Sequence, residues 1–324
     1  MIEIHEIRKT FKTVKRKKGF GAAALSLFHR EYNEVKALDG ISFSMEEGEI
    51  AGFIGPNGAG KSTAIKIMSG ILVPDSGECT ILGMIPWKSR KKYVSHIGVV
   101  FGQRTQLWWD VPVQDSLDLL KDIYGVPEKR FRENLEELTY SFELADFMSV
   151  PLRQLSLGQR MRCEIAASLL HDPMIIFLDE PTIGLDAVSK LALRSIIARL
   201  NKERKITVIL TSHDMDDIEA LTNRILLIGK GKLLYDGALG SLRSRYDKLR
   251  RLELHFQGAA SLTEPMGTKL ISQKENIAVY EVDTGIISVS TALQIFGKTL
   301  DIRDMSAGSR PIEELIADLY RENL

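Results

Sequence analysis

The sequence predicts an α/β fold: a parallel sheet with crossover helices, broken by a helical insertion and followed by a small α+β appendage. Three observations predict it. From residue 2 to about 240, short apolar runs alternate with helix-compatible stretches. EIAGFIG (49–55), MIIFLDE (174–180) and ITVILTS (206–212) read as buried strands. Between residues 104 and 154, in DSLDLLKDIYG and RFRENLEELTYSFELADFM, apolar residues fall at three- and four-residue spacing, which marks helices. After about residue 240 the chain turns net acidic and period-two runs enter.

A length of 324 residues suggests about two domains. The composition, 44% hydrophobic and 27% charged, is that of an ordinary folded protein and excludes disordered or collagen-like classes. Lys plus Arg and Asp plus Glu both total 43, so no global basic field gathers nucleic acid, and no nucleic-acid partner is expected. The two cysteines, Cys79 and Cys163, have no metal-ligand spacing and fit a reducing compartment. The opening MIEIHEIRKTFK lacks the apolar core of a signal peptide. No run of about 18 apolar residues occurs, so the chain is not expected to span a bilayer.

In chain order, the first unusual stretch is basic. Residues 8–31 carry Arg8, Lys9, Lys12, Lys15, Arg16, Lys17, Lys18 and Arg30 with no acid before Glu31, ending near an apolar GFGAAALSLF. It reads as an insertion, either a membrane or partner contact or a solvated loop.

The strand at 49–55 runs into GPNGAGKST, which matches GxxxxGK[ST] directly before the helical AIKIMSG. Gly55, Pro56, Asn57, Gly58, Ala59 and Gly60 form a loop whose backbone N–H groups can turn toward phosphate oxygens. Lys61 can reach the β and γ phosphates, Ser62 can ligate Mg²⁺, and Thr63 starts the helix whose positive end faces the anion. The strand MIIFLDE delivers two acids to its C-terminal edge, where open α/β sheets place ligands. Asp179 suits a Mg²⁺ contact through water, and Glu180 suits a general base for the attacking water.

LSLGQ (155–159) opens a helix, RMRCEIAASLLHD, with Met161, Ile165 and Leu169 on one face, and Pro173 is expected to stop it. Its N-terminus can take an anion through Ser156 and the Gly158 N–H, yet it has no nearby lysine or metal ligand. At the C-terminus LELHF (252–256) and AVYEV (278–282) read as strands. Ile312, Leu315, Ile316 and Leu319 form one helical face behind Pro311.

GPNGAGKST, Gln103 in VVFGQ, LSLGQ, MIIFLDE, GLD (184–186) and His213 in TSHD follow one another in an order that resembles the ATPase subunit of ATP-binding cassette (ABC) transporters. The resemblance covers about 2–240, and points to exporters with separate permease chains, including the drug and viologen exporter group. It implies a P-loop nucleotide-binding domain at 1–240 with an antiparallel β subdomain and an inserted helical subdomain at about 104–160. Residues 241–324 would then be a small accessory domain. It also implies ATP and Mg²⁺ as cofactors, and a second copy of the chain or a paralogous ATPase as partner.

In that arrangement each ATP lies between one chain's cradle and the Ser156, Gly158 and Gln159 of the other. Gln103 would touch Mg²⁺ or water, His213 the γ phosphate, and Asp186 would communicate across the dimer or merely cap its helix. Tyr32 stands where the family's adenine-stacking aromatic lies, with Phe28 as runner-up. Trp108 and Trp109 would line the groove for the permease or pack within the helical subdomain. The departure is Leu157, where the family usually has glycine. The implied location is peripheral, on the cytoplasmic face of the membrane. The rivals are a non-transport ABC ATPase of DNA repair or translation, disfavoured by the absence of long heptad regions, and a P-loop kinase, which has no use for LSLGQ.

Overall fold

The computed structural model describes residues 1–14, 32–102, 104–212, 214–246, 248–258 and 262–323. The chain divides into two compact units, Met1–Gly237 and Ala238–Leu324.

In the first unit, β1 (Ile2–Val14), β2 (Tyr32–Met45) and β4 (Ser76–Ile81) form an antiparallel sheet in the order β2-β1-β4. The remaining strands are β3 (Ile50–Ile54), β5 (Ile97–Phe101), β6 (Ile175–Asp179), β7 (Thr207–Thr211), β8 (Arg224–Gly229) and β9 (Lys232–Ala238). They make a six-stranded sheet in the order β5-β6-β7-β3-β8-β9, with β5, β6, β7, β3 and β8 mutually parallel. β7 is buried along its whole length and β3 and β6 nearly so, as central parallel strands are when helices cover both faces. The two sheets share one core, in which Phe43 and Phe53 meet edge to face at 5.4 Å.

The helices are α1 (Lys61–Met68), α2 (Arg90–Val94), α3 (Val113–Tyr124), α4 (Glu128–Ser141), α5 (Leu157–Leu169), α6 (Ala187–Arg204) and α7 (Met215–Leu221). The insertion between β5 and β6 is helical, built of α3, α4 and α5. α5 buries Met161, Ile165 and Leu169, and it ends at Leu169, four residues before Pro173. Cys79 and Cys163 are buried and unpaired, and burial pushes both thiols up to about 12, so neither is a ready nucleophile.

The expected insertion at 8–31 needs correction at its start. Arg8–Val14 belongs to β1, and its cations find acids from other segments, Arg8 on Asp39 (2.8 Å), Lys9 on Asp75 (2.7 Å) and Lys12 on Glu34 (3.2 Å), with Arg8 also on Glu6 of its own strand (2.7 Å). A local reading sees a run with no acid, whereas pairing supplies acids from distant sequence. Residues 15–31, including Phe28, lie outside the described residues.

The second unit holds α8 (Leu239–Tyr246), β10 (Leu249–Gln257), β11 (Thr268–Lys274), β12 (Ile277–Asp283), α9 (Val289–Phe296), β13 (Asp301–Ser309) and α10 (Ile312–Asn323). Its antiparallel sheet runs β11-β12-β10-β13. Leu252, Leu254 and Phe256 of β10 and Ala278, Tyr280 and Val282 of β12 alternate inward against Ala292 and Phe296 of α9. Ile312, Leu315, Ile316 and Leu319 are buried along one face of α10.

Candidate functional site

Four parallel strands deliver their C-terminal ends to one region. After β3, the loop Gly55–Gly60 turns into α1 through Gly58 and Gly60, whose φ of 81° and 115° favour glycine. At Gly60 a Cβ would also lie 2.4 Å from the Ala37 carbonyl. Gly60 is the N-cap of α1 and offers no side-chain acceptor, so the first-turn N–H groups have no capping side chain. Lys61 is 6% exposed, and its ammonium donates to the carbonyls of Gly55 (2.5 Å) and Pro56 (3.2 Å). Burial lowers its pKa, and the charges of Glu180 and Asp179 oppose that fall.

Asp179 closes β6. Its Oδ1 accepts from Ser62 Oγ at 3.1 Å and from Thr211 Oγ1 at 2.7 Å. The next residue, Glu180, leaves the strand at φ 55°, an unusual value for glutamate, held by its N–H donating to Thr211 Oγ1 (3.0 Å) and Thr211 O (3.1 Å). Gly102, after β5, donates to Asp179 O at 2.8 Å, and a Cβ there would lie 2.4 Å from Glu180 O. The segment leading to Gln103 thus lies against the acid pair. A cavity of about 660 Å³ is lined by Asn57, Ser62, Gly102, Arg104, Asp179 and Glu180, among others.

The structure therefore brings together the cradle, Ser62, Asp179 and Glu180. Gln103 and His213 lie outside the described residues, as does the side chain of Tyr32, whose backbone begins β2. Ser156, Gly158, Gln159 and Asp186 are not part of the cavity lining. Ser156 and Gln159 instead form a capping box on α5: Ser156 Oγ accepts from the Gln159 N–H, and Gln159 Oε1 accepts from the Ser156 N–H. Leu157 is the first helical residue with a negative φ, so the missing glycine causes no backbone strain. Asp186 caps α6, accepting from Ser189 N (2.9 Å) and Oγ (3.0 Å). Gly158 abuts that same serine, where a Cβ would stand 2.4 Å from Ser189 Oγ.

Trp108 and Trp109 are 40% and 46% exposed, and the Arg160 guanidinium sits 4.3 Å from the Trp109 ring centroid. Sequence reasoning missed Thr211, which holds Asp179 and Glu180 together. The sequence signal available for it was only a hydroxyl ending a buried strand; its register with Asp179 belongs to the folded sheet.

An uncapped helix behind a glycine loop and lysine, with a carboxylate pair at the end of another strand of the same sheet in contact with its Ser62, defines a nucleoside-triphosphate-binding domain of the P-loop kind. Comparison with known proteins narrows this class. The ABC transporter family model matches residues 38–183. The ABC transporter ATP-binding protein NatA of Bacillus subtilis is 34% identical over 229 residues, 71% of this chain and 92% of the relative. The daunorubicin/doxorubicin resistance ATP-binding protein DrrA of Streptomyces peucetius is 30% identical over 89% of both chains. The dimeric post-hydrolysis structure of the ATP-binding cassette MJ0796, bound to ADP and Pi, superposes with a TM-score of 0.61 at 26% identity, covering 74% of this chain and 99% of that one. The chain belongs to the ABC transporter family, as an ATP-binding subunit with the cassette fold and the ATPase class of that family. Cassettes of this family form dimers. Among the described residues no helix is long and apolar enough to cross a membrane.

Proposed function

We propose that this chain hydrolyses ATP for an exporter, closing as a dimer on two nucleotides and driving separate transmembrane permease chains from the cytoplasmic face of the membrane. The observation that carries the reading is the contact of Ser62 with Asp179 at 3.1 Å beside the lysine of an uncapped helix N-terminus. The named roles of two relatives support the exporter direction: DrrA, named for daunorubicin/doxorubicin resistance, and the bacitracin transport ATP-binding protein BcrA of Bacillus licheniformis, 33% identical over 82% of this chain.

The N–H groups of the Gly55–Gly60 loop, Pro56 having none, and Lys61 hold the phosphates. Ser62 and Asp179 present hard oxygen donors that suit Mg²⁺, with Gln103 as a further contact. Bound Mg²⁺ would offset phosphate charge in the transition state. Glu180 takes the proton of the attacking water, His213 orders that water against the γ phosphate, and Tyr32 stacks on the base. Ser156, Gly158 and Gln159 serve the nucleotide of the other chain, a division of labour that fits their absence from the cavity lining around Ser62. Asp186 sits beside that element through Ser189 and carries its state across the dimer.

The test is Glu180→Gln in the full chain. It keeps ATP affinity while turnover falls by about 10²–10⁴-fold, the usual worth of a general base. Wild-type turnover in that variant would remove Glu180 from the reaction.

A further inference from the structure

We propose that Asp217 is a positioning residue that holds the loops following β6 and β7 in one catalytic geometry. Asp217 lies on α7 and is 0% exposed. Its two carboxylate oxygens are divided between partners. Oδ1 takes Arg194 of α6, from Nε at 2.6 Å and from the terminal nitrogen at 2.5 Å. Oδ2 accepts from Thr182 Oγ1 and from Ser212 Oγ at 3.2 Å.

Those partners lie on three different segments. Thr182 is two residues beyond Glu180, on the loop that leaves β6. Ser212 follows β7 directly and also accepts the Asp214 N–H at 3.0 Å, so its hydroxyl engages the chain on both sides of position 213. Arg194 belongs to the helix capped by Asp186 and also reaches Asp214 at 3.8 Å. One buried carboxylate therefore ties the loop carrying Glu180 to the segment flanking His213, and both to α6.

A buried carboxylate is tolerated because a guanidinium and two hydroxyls replace its hydration. The same network makes relative displacement of the two loops costly, since moving either one leaves a buried donor or the charge unpaired. None of the partners is a cradle residue, so Asp217 should govern turnover rather than nucleotide affinity. The inference rests on the proposed ATP hydrolysis at this site.

The experiment is steady-state ATP hydrolysis by the purified full chain, with binding of a non-hydrolysable ATP analogue measured in parallel. Thr182→Val removes one hydroxyl at constant shape, and Asp217→Asn removes the charge. Both should lower kcat, Asp217→Asn by about 10²-fold, while KM and analogue affinity stay within about twofold. Thr182→Ser, which restores the donor, should recover most of the Thr182→Val loss. Unchanged kcat in Thr182→Val overturns the inference whether or not Asp217→Asn folds, and so does a loss of kcat matched by equal loss of analogue binding. Wild-type turnover in Glu180→Gln would instead fail the hydrolysis reading itself. An inactive Glu180→Gln beside an unaffected Thr182→Val fails this inference alone.

Discussion

Thr211 Oγ1 donates to Asp179 Oδ1 at 2.7 Å and accepts the Glu180 N–H at 3.0 Å. The last residue of β7 thereby fixes the rotamer of one acid and the backbone turn of the next. Glu180 is held at φ 55°, outside the β region, and a single hydroxyl helps to keep it there. Thr211→Val keeps the shape but leaves the part-buried Glu180 N–H with only the carbonyl of residue 211 as acceptor and takes a donor from Asp179. The expected cost is about 1–3 kcal/mol of stability, read by denaturant unfolding, together with a fall in kcat.

Lys61 anchors the cradle to its own loop carbonyls. Lys61→Ala should weaken ATP binding itself, in contrast to Glu180→Gln. Isothermal titration with ATP checks this, and undiminished affinity would contradict the cradle assignment.

Gly158 and Ser189 leave no room for a methyl group. A Cβ at residue 158 would lie 2.4 Å from Ser189 Oγ and 3.0 Å from its Cβ, so Gly158→Ala must turn the Ser189 hydroxyl off Asp186 or move α5 from the start of α6. The expected cost is about 1–3 kcal/mol. Adding Ser189→Ala removes the worse of the two overlaps, so thermal unfolding of the four proteins in a double-mutant cycle should show a favourable coupling. Strict additivity would show that the two helices do not meet as described.

Glu164 of α5 is 4% exposed, accepting from Thr105 Oγ1 and from the Gln106 N–H at 3.1 Å. Burial raises its pKa, opposed by those hydrogen bonds and the charge of Arg160. For an acid whose folded pKa is raised, the folded state binds the proton more tightly than the unfolded one, so stability falls as pH rises from the unfolded pKa through the folded one. Glu164→Gln removes that titration. Stability curves of the two proteins should diverge as pH rises above the ordinary glutamate value of about 4.3, the wild type losing ground. Parallel curves would show that Glu164 does not titrate differently on folding.

The three central strands were legible because a strand buried on both faces is a continuous apolar run, and IAGFI, IIFLD and TVILT are such runs. The cradle and the acid pair were legible because phosphate and metal chemistry fix residue type and spacing. The β1–β2 pairing was not, since its cations are matched by acids on a partner strand far away in sequence. β13, DIRDMSAGS, is exposed except at Ile302 and carries no periodic pattern to find. Asp217 stands in a run of acids, DMDDIE, where nothing local separates the buried hub from the more exposed acids beside it. Thr211 and Ser189 act through partners on other elements, and such roles exist only once the chain is folded.

The central claim is that two chains complete each nucleotide site, and light scattering on the Glu180→Gln chain tests it most directly. The account predicts a monomer without nucleotide and a dimer with saturating ATP, abolished when Ser156→Arg places a bulky charge at the tip of α5. A monomer at every ATP concentration, with wild-type hydrolysis retained in Ser156→Arg, would contradict it.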